Sequence, residues 1–187
     1  MLNRRTFLGF TGVLGSTLLQ NNAFAASEAH NMEPLLAKPA LDNSYWYLGH
    51  LLSVLLSAEK TGGLLALLKV TEIKGLEPPP HTHTREDELF YLLNGEIEFL
   101  VGGKTYKAAS GDCMFLPRNI VHSFRVLTDQ SDVVMLLTPG GFEKYFIEMS
   151  EKAPELKQPP RPSGPPDIPR LIATAKKYGI QFPTNPG

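Results

Sequence analysis

Two dipeptides, Asn94-Gly95 and Gly102-Gly103, confine the middle of this chain to an antiparallel β meander. Each lies between β-rich runs, Leu89–Leu93, Glu96–Val101 and Lys104–Lys107, and each favours the positive φ angles of a two-residue hairpin. Further strand-like runs flank them. Tyr45–Leu56 leads through a Lys60–Gly63 turn into Leu64–Ile73. Later, Ser110-Gly111-Asp112 turns the chain into Cys113–Leu116, Pro117 interrupts it, and Val121–Leu127 and Val133–Thr138 follow. Short strands separated by glycine turns predict an all-β barrel.

Residues that bind metals sit at defined points of this pattern. His81 and His83 are one residue apart and point to the same side of an extended segment, because side chains alternate with a period of two. Glu88 follows where the next strand begins, and His122 opens a later one. Imidazole and carboxylate together suit one divalent first-row ion, Fe, Mn, Co, Ni, Cu or Zn. Three neutral imidazoles and one carboxylate leave such an ion with net charge near +1 and open positions, which means catalysis or ligand capture rather than a sealed structural site. Glu86 and Asp87 compete for the carboxylate role, but Glu88 shares its phase with Phe90 and has the better spacing. His30 and His50 lack ligand spacing and read as structural. Arg85 and Arg118 read as solvated charges near the mouth.

Strand phase also predicts the surroundings. If Glu88 points inward, so do Phe90 and Leu92; if His122 does, so do Phe124 and Val126. These four apolar residues are the expected substrate wall, which suits a hydrophobic or aromatic molecule better than a sugar. On the opposite phase, Leu89, Tyr91 and Leu93 are also apolar. That outer face should be covered by a terminal segment or a second subunit, so a homodimer is expected.

The full pattern is Gly75(x)5His81-x-His83(x)4Glu88(x)6Gly95, followed by Gly111(x)5Pro117(x)4His122. It resembles the two motifs of the cupin superfamily, over roughly Tyr47 to Thr138. Within that superfamily the surroundings of Glu88 and His122 are most similar to small bacterial single-cupin proteins related to quercetin 2,3-dioxygenase. The resemblance implies a double-stranded β-helix, a jelly-roll barrel with the metal inside. It also implies His81, His83, Glu88 and His122 as ligands, with Glu88 handling a substrate proton as the catalytic residue. The implied reaction is dioxygenation of a hydrophobic or aromatic enol by O2. A non-catalytic small-ligand or metal-binding cupin and a metal-assisted isomerase or epimerase are the alternatives, and the apolar wall favours the first reading over the last. Two positions depart from the family pattern. Asn119 stands where glycine is usual, and asparagine is the residue that best tolerates a left-handed turn. Val126 stands where asparagine is frequent, making that part of the wall apolar.

The 187 residues suit one domain, with a leader in front. Asn3-Arg4-Arg5-Thr6-Phe7-Leu8, an uncharged run to Leu19 and Ala23-Phe24-Ala25 read as a twin-arginine-type export signal over 1–25 with a small-x-small cleavage site. The apolar run is too short to span a membrane. A periplasmic or extracellular mature protein with no membrane anchor is expected. Cleavage removes two arginines and no acid, taking the formal charge from −1 to −3, and no basic and aromatic patch speaks for nucleic acid. Cys113 is the only cysteine, which excludes an intrachain disulfide and reads as a small buried hydrophobe.

An N-terminal arm over 26–44 and the barrel over 45–139 precede a C-terminal region over 140–187. There, Phe142, Tyr145, Phe146 and Met149 recur at helical spacing, predicting an amphipathic helix packed on the outside of the barrel. Pro154–Pro169 reads as an extended strap. Asp167 should cap a last helix with Pro169 in its first turn, Lys176 and Lys177 in its last, and Gly179 just beyond.

Overall fold

The computed structural model describes residues 32–183; the export-type segment 1–25 and His30 lie outside them. In chain order the strands are β1 (Ser44–Tyr47), β2 (His50–Leu56), β3 (Ala66–Ile73), β4 (Thr82–His83), β5 (Asp87–Asn94), β6 (Glu96–Val101), β7 (Lys104–Ala109), β8 (Cys113–Leu116), β9 (His122–Val126) and β10 (Gln130–Thr138). Helix α1 (Glu143–Met149), β11 (Glu151–Lys152), α2 (Ile168–Lys177) and β12 (Ile180–Gln181) complete the chain. Among the described residues no helix is long and apolar enough to cross a membrane.

Every strand pair is antiparallel. One sheet runs β11-β1-β2-β3-β10-β5-β8, a second runs β7-β6-β9, and β12 pairs with β4. Period-two burial shows which faces meet. Strand β5 turns Glu88, Phe90 and Leu92 inward, β6 turns Ile97, Phe99 and Val101 inward, and β10 buries Ser131, Val133, Met135 and Leu137. Strand β3 buries Ala66, Leu68 and Val70 and then continues the same phase with Glu72. Apolar side chains of the two main sheets form one core, and their removal from water is the main driving force for this packing. The all-β jelly-roll expectation is met, with both hairpins where the dipeptides put them: Gly95, Gly102 and Gly103 all have positive φ.

The Tyr45–Leu56 run differs from a single strand. Leu48 and Gly49, at φ 47° and 95°, fold it into a hairpin with Tyr47 opposite His50. A leucine in the left-handed region gives no turn signal, so only Gly49 marked the break. Cys113 is exposed rather than buried. It lies opposite Tyr91 on β8, the edge strand of the large sheet, and faces outward with it. That outer face is not covered by a terminal segment among the described residues: Tyr91 and Leu93 are each 43% exposed, and Phe115 beside them is 52% exposed.

The C-terminal region crosses to the other end of the large sheet. Trp46 Nε1 donates to the Lys157 carbonyl at 2.9 Å and Gln158 Nε2 to the Thr71 carbonyl at 3.1 Å, which hold the proline strap down. Asp167 accepts the Arg170 N–H at 3.0 Å and starts α2, and Gly179 at φ 89° ends it, as the sequence predicts. The apolar stripe of α1 forms, but not as outside packing. Phe142, Tyr145 and Phe146 close one wall of the interior cavity, because α1 lies across the barrel mouth.

Gly95 and Gly103 differ in what surrounds them. A Cβ on Gly95 would lie 2.6 Å from the Gln130 carbonyl oxygen and 2.9 Å from Ser131 Cα, whereas one on Gly103 would meet nothing within 4 Å. Gly95→Ala should therefore lower unfolding stability by about 2 kcal/mol or more, and Gly103→Ala by about 1 kcal/mol from backbone strain alone. Urea denaturation of the two variants checks the difference.

Candidate metal centre

Three separate devices aim the histidines. His81 and His122 form a reciprocal backbone pair, each N–H donating to the other's carbonyl at 2.9 Å, so β9 and the segment before β4 deliver both rings to one place. His83 is held from both sides. Ile180 of β12 pairs with it, and its carbonyl accepts the Asn119 N–H at 2.8 Å. Asn119 has φ 63°, so the left-handed turn survives the loss of glycine. Arg118 fastens that turn to β5. Its side chain reaches Asp87 at 2.6 and 3.0 Å and the Arg85 carbonyl at 2.8 Å, and the guanidinium holds the Asp87 carboxyl below the usual carboxylate range. Arg118 is thus a structural clamp rather than a freely solvated charge.

Proton placement completes the geometry. The Nδ1 of His81 lies 2.9 Å from the Pro79 carbonyl and that of His122 lies 3.0 Å from the Ile120 carbonyl, and since a carbonyl only accepts, both nitrogens carry hydrogen. Both Nε2 atoms are then lone pairs. His83 Nδ1 is 2.7 Å from Glu86 Oε1, with both side chains buried. This places Glu86 behind His83 as an orienting group, not among the converging ligand atoms. Glu88 Oε2 stands 3.5 Å from His122 Nε2 and 3.8 Å from His83 Nε2. Ligand atoms of His81, His83, Glu88 and His122 all lie within 4.8 Å of one another, and all four residues are buried. His122 Nε2 is buried without a hydrogen-bond partner among the described residues, an orphan lone pair that faces the Glu88 carboxylate at 3.5 Å, an arrangement that a cation between the two relieves. The donor set fits one divalent first-row ion.

Charge follows from the same arrangement. Burial, and then the neighbouring His83 and His122, push His81 down to about 4. Burial opposes the charged form of His83 as well, but Glu88 and Glu86 outweigh it and raise its pKa. For Glu88 burial favours the neutral acid, yet His83 and His122 outweigh that and lower its pKa, leaving a carboxylate at neutral pH.

The quartet opens into a cavity of about 590 Å³. Phe90 and Phe124 line it with Phe142 and Phe146 of the α1 wall, and Leu171 and Ile172 of α2 close it further. Leu92 and Val126, expected on the same wall, are fully buried but do not line it. They sit one step deeper along β5 and β9, opposite Val133 and Ile97, where the sheets pack together. Phase fixes the face a side chain takes, not its depth. Polar lining residues that were not singled out as site residues include Tyr47, His50 and Glu72. An acidic residue continuing the inward phase of Ala66, Leu68 and Val70 was the available signal for Glu72.

Comparison with known proteins agrees with this geometry. The cupin domain family matches residues 69–139. Quercetin 2,3-dioxygenase of Bacillus subtilis is 31% identical over 104 residues, covering 55% of this chain and 31% of that protein. The enzyme of the same name from Aspergillus japonicus is 29% identical over 86 residues, covering 43% and 25%. The chain therefore spans a third or less of the length of these curated relatives. Among solved structures, an RmlC-like cupin from Shewanella frigidimarina superposes with a TM-score of 0.50 at 19% identity, over 60% of this chain and 98% of that one, which shows the shared fold.

Metal should be held at neutral pH and released on acidification, because only unprotonated imidazoles ligate. His81 stays neutral down to about 4, and the raised pKa of His83 means that protons reach His83 before His81 as pH falls. Elemental analysis after dialysis across pH 4–8 checks this. Glu86→Gln should weaken metal affinity at pH 7 by about 10- to 100-fold through loss of His83 orientation.

Proposed function

We propose that this chain, whose residues 69–139 match the cupin domain family, is a metal-dependent dioxygenase acting on a hydrophobic or aromatic enol with O2. In this reading His81, His83, Glu88 and His122 hold the ion and Glu88 is also the proton acceptor. One observation carries it: three imidazoles, two of them with inward lone pairs, and one carboxylate meet in an otherwise largely apolar cavity. When bound, a divalent ion would supply Lewis acidity toward a hydroxyl or enol oxygen.

The chain's own residues do the remaining work. Phe90, Phe124 and Phe142 exclude water and present flat apolar faces to an aromatic ring. Glu88, ionised and buried, accepts the enol proton onto a carboxylate oxygen. The enolate left behind is electron-rich and takes up O2: the O–O bond and the enol carbon–carbon bond break, one oxygen atom ends in a carbonyl and the other in a carboxyl group, and Glu88 returns its proton to that carboxyl. The quercetin 2,3-dioxygenases similar to this chain support the aromatic enol as substrate class.

A second copy of the chain is the proposed cover for the outer face of β5 and β8, where Tyr91, Leu93 and Phe115 are exposed side by side. Light scattering should give a dimer for the full chain and a monomer for Tyr91→Glu/Phe115→Glu.

Oxygen-electrode measurements with flavonol substrates test the reaction. Wild type should consume O2, and Glu88→Gln should lose about 10²- to 10⁴-fold in rate. Thermal stabilisation by the same compounds with no loss of O2 would instead assign a binding role.

A further inference from the structure

Glu72 has no part in the quartet, yet its carboxyl faces the same cavity. It is 5% exposed, at the inward end of β3, and lines the space together with Glu88, Phe90 and Phe124. Its one partner within hydrogen-bonding distance among the described residues is His50, whose Nδ1 lies 3.2 Å from Glu72 Oε2. His50 is itself buried on β2.

The bonds around His50 count the protons. Its Nε2 is 3.2 Å from the Leu76 carbonyl, an acceptor only, so Nε2 bears hydrogen. Its Nδ1 receives the Ile73 N–H at 3.3 Å, so Nδ1 is a lone pair. A lone pair facing an ionised carboxylate is repulsive, and one proton therefore belongs on Glu72, shared with Nδ1. Burial acts in the same direction, raising the Glu72 carboxyl against the pull of His50. The second carboxyl oxygen is then a neutral acceptor left over in a nearly dry wall. A donor stands nearby. Tyr47 stacks on His50 with ring centroids 6.2 Å apart, and its hydroxyl is 3.1 Å from that of Tyr145, also on the cavity wall. Two phenols sharing one hydrogen bond keep one O–H free.

A free acceptor and a free donor on one wall match a hydroxyl group, which both donates and accepts; a carbonyl, an ether or an ammonium uses only one of them. The geometry points to Glu72, backed by His50 and joined by the Tyr47–Tyr145 pair, as a second recognition subsite that takes a remote hydroxyl of the molecule whose enol faces Glu88. The substrate class narrows to aromatic enols carrying a second, phenolic hydroxyl. This rests on the dioxygenase reading only for where the enol sits. A site built to bond a hydroxyl rejects analogues that lack it, because the buried group is then left unpaired.

Fluorescence titration of the metal-loaded full-length protein under argon separates binding from turnover. The probes are 3-hydroxyflavone, the same flavonol with one added hydroxyl on either outer ring, and the matching methyl ethers. At least one hydroxylated probe should bind roughly 10- to 100-fold tighter than both the unsubstituted flavonol and its own methyl ether. Glu72→Met should erase that gap while leaving 3-hydroxyflavone affinity and metal content within about threefold. Glu72→Gln should keep the gap, since its amide N–H faces His50 and its carbonyl faces the ligand. Glu88→Gln should weaken all probes alike. No gap in wild type, or a gap that persists in Glu72→Met, overturns the subsite. If Glu72→Met does not fold, Glu72→Ala takes its place, and the wild-type gap between hydroxyl and methyl ether still decides. Failure of every probe to bind overturns both the subsite and the dioxygenase reading. A Glu72-dependent gap without O2 consumption in air overturns the dioxygenase reading alone and upholds the subsite.

Discussion

The positions of the imidazole protons govern the rest of this structure. A neutral histidine has one donor and one acceptor nitrogen, so fixing the donor on the outer side leaves the lone pair aimed inward. Backbone carbonyls of Pro79 and Ile120 do this for His81 and His122, and Glu86 faces the outer nitrogen of His83. The carbonyls belong to segments that can be nowhere else. Pro78-Pro79-Pro80, with φ fixed by the proline rings, lines the cavity just ahead of His81, and the Arg118–Asn119 turn is bolted to β5 by Asp87 and to His83 by a backbone bond. The centre is assembled by main-chain accounting as much as by side-chain choice.

Burying such a set works against hydration. Carboxyls and imidazoles enclosed by phenylalanine lose the water that would stabilise their charges, and the structure resolves the conflict differently at each group. His81 remains neutral, Glu88 is held below the usual carboxylate range because His83 and His122 outweigh its burial, and burial raises the Glu72 carboxyl against the pull of His50. Two carboxyls in one cavity are therefore shifted in opposite directions, Glu88 down and Glu72 up. Helices α1 and α2 make this separation possible by closing the mouth with apolar side chains, and β12 ties that cover to His83 itself.

Much of the barrel was legible in the chain. Asn94-Gly95 and Gly102-Gly103 locate both hairpins, alternation along β5 sets Glu88 in phase with Phe90 and Leu92, and Asp167 and Gly179 bound α2. Each of these signals is local: it depends on residues a few positions apart. The less legible parts were those decided by distance through space. Leu92 and Val126 share a face with the ligands but lie deeper, Cys113 is outside because its strand is an edge, and the α1 stripe covers the mouth rather than an outer flank. Glu86 and Glu88, two residues apart, take different places about His83, a distinction that spacing alone favoured without explaining.

Sequence by itself determined the antiparallel strands, their inward and outward faces, and the identity of the side chains that meet at the centre, because turn chemistry and period-two alternation are properties of neighbouring residues. Tertiary structure alone decided what those side chains meet. The curvature of the large sheet brings Tyr47, His50 and Glu72 of the first three strands to the same cavity as Glu88, and the C-terminal segment supplies one of its walls. Contacts between strands far apart in the chain leave no periodic trace in it, since they are fixed by sheet closure and register rather than by any local preference.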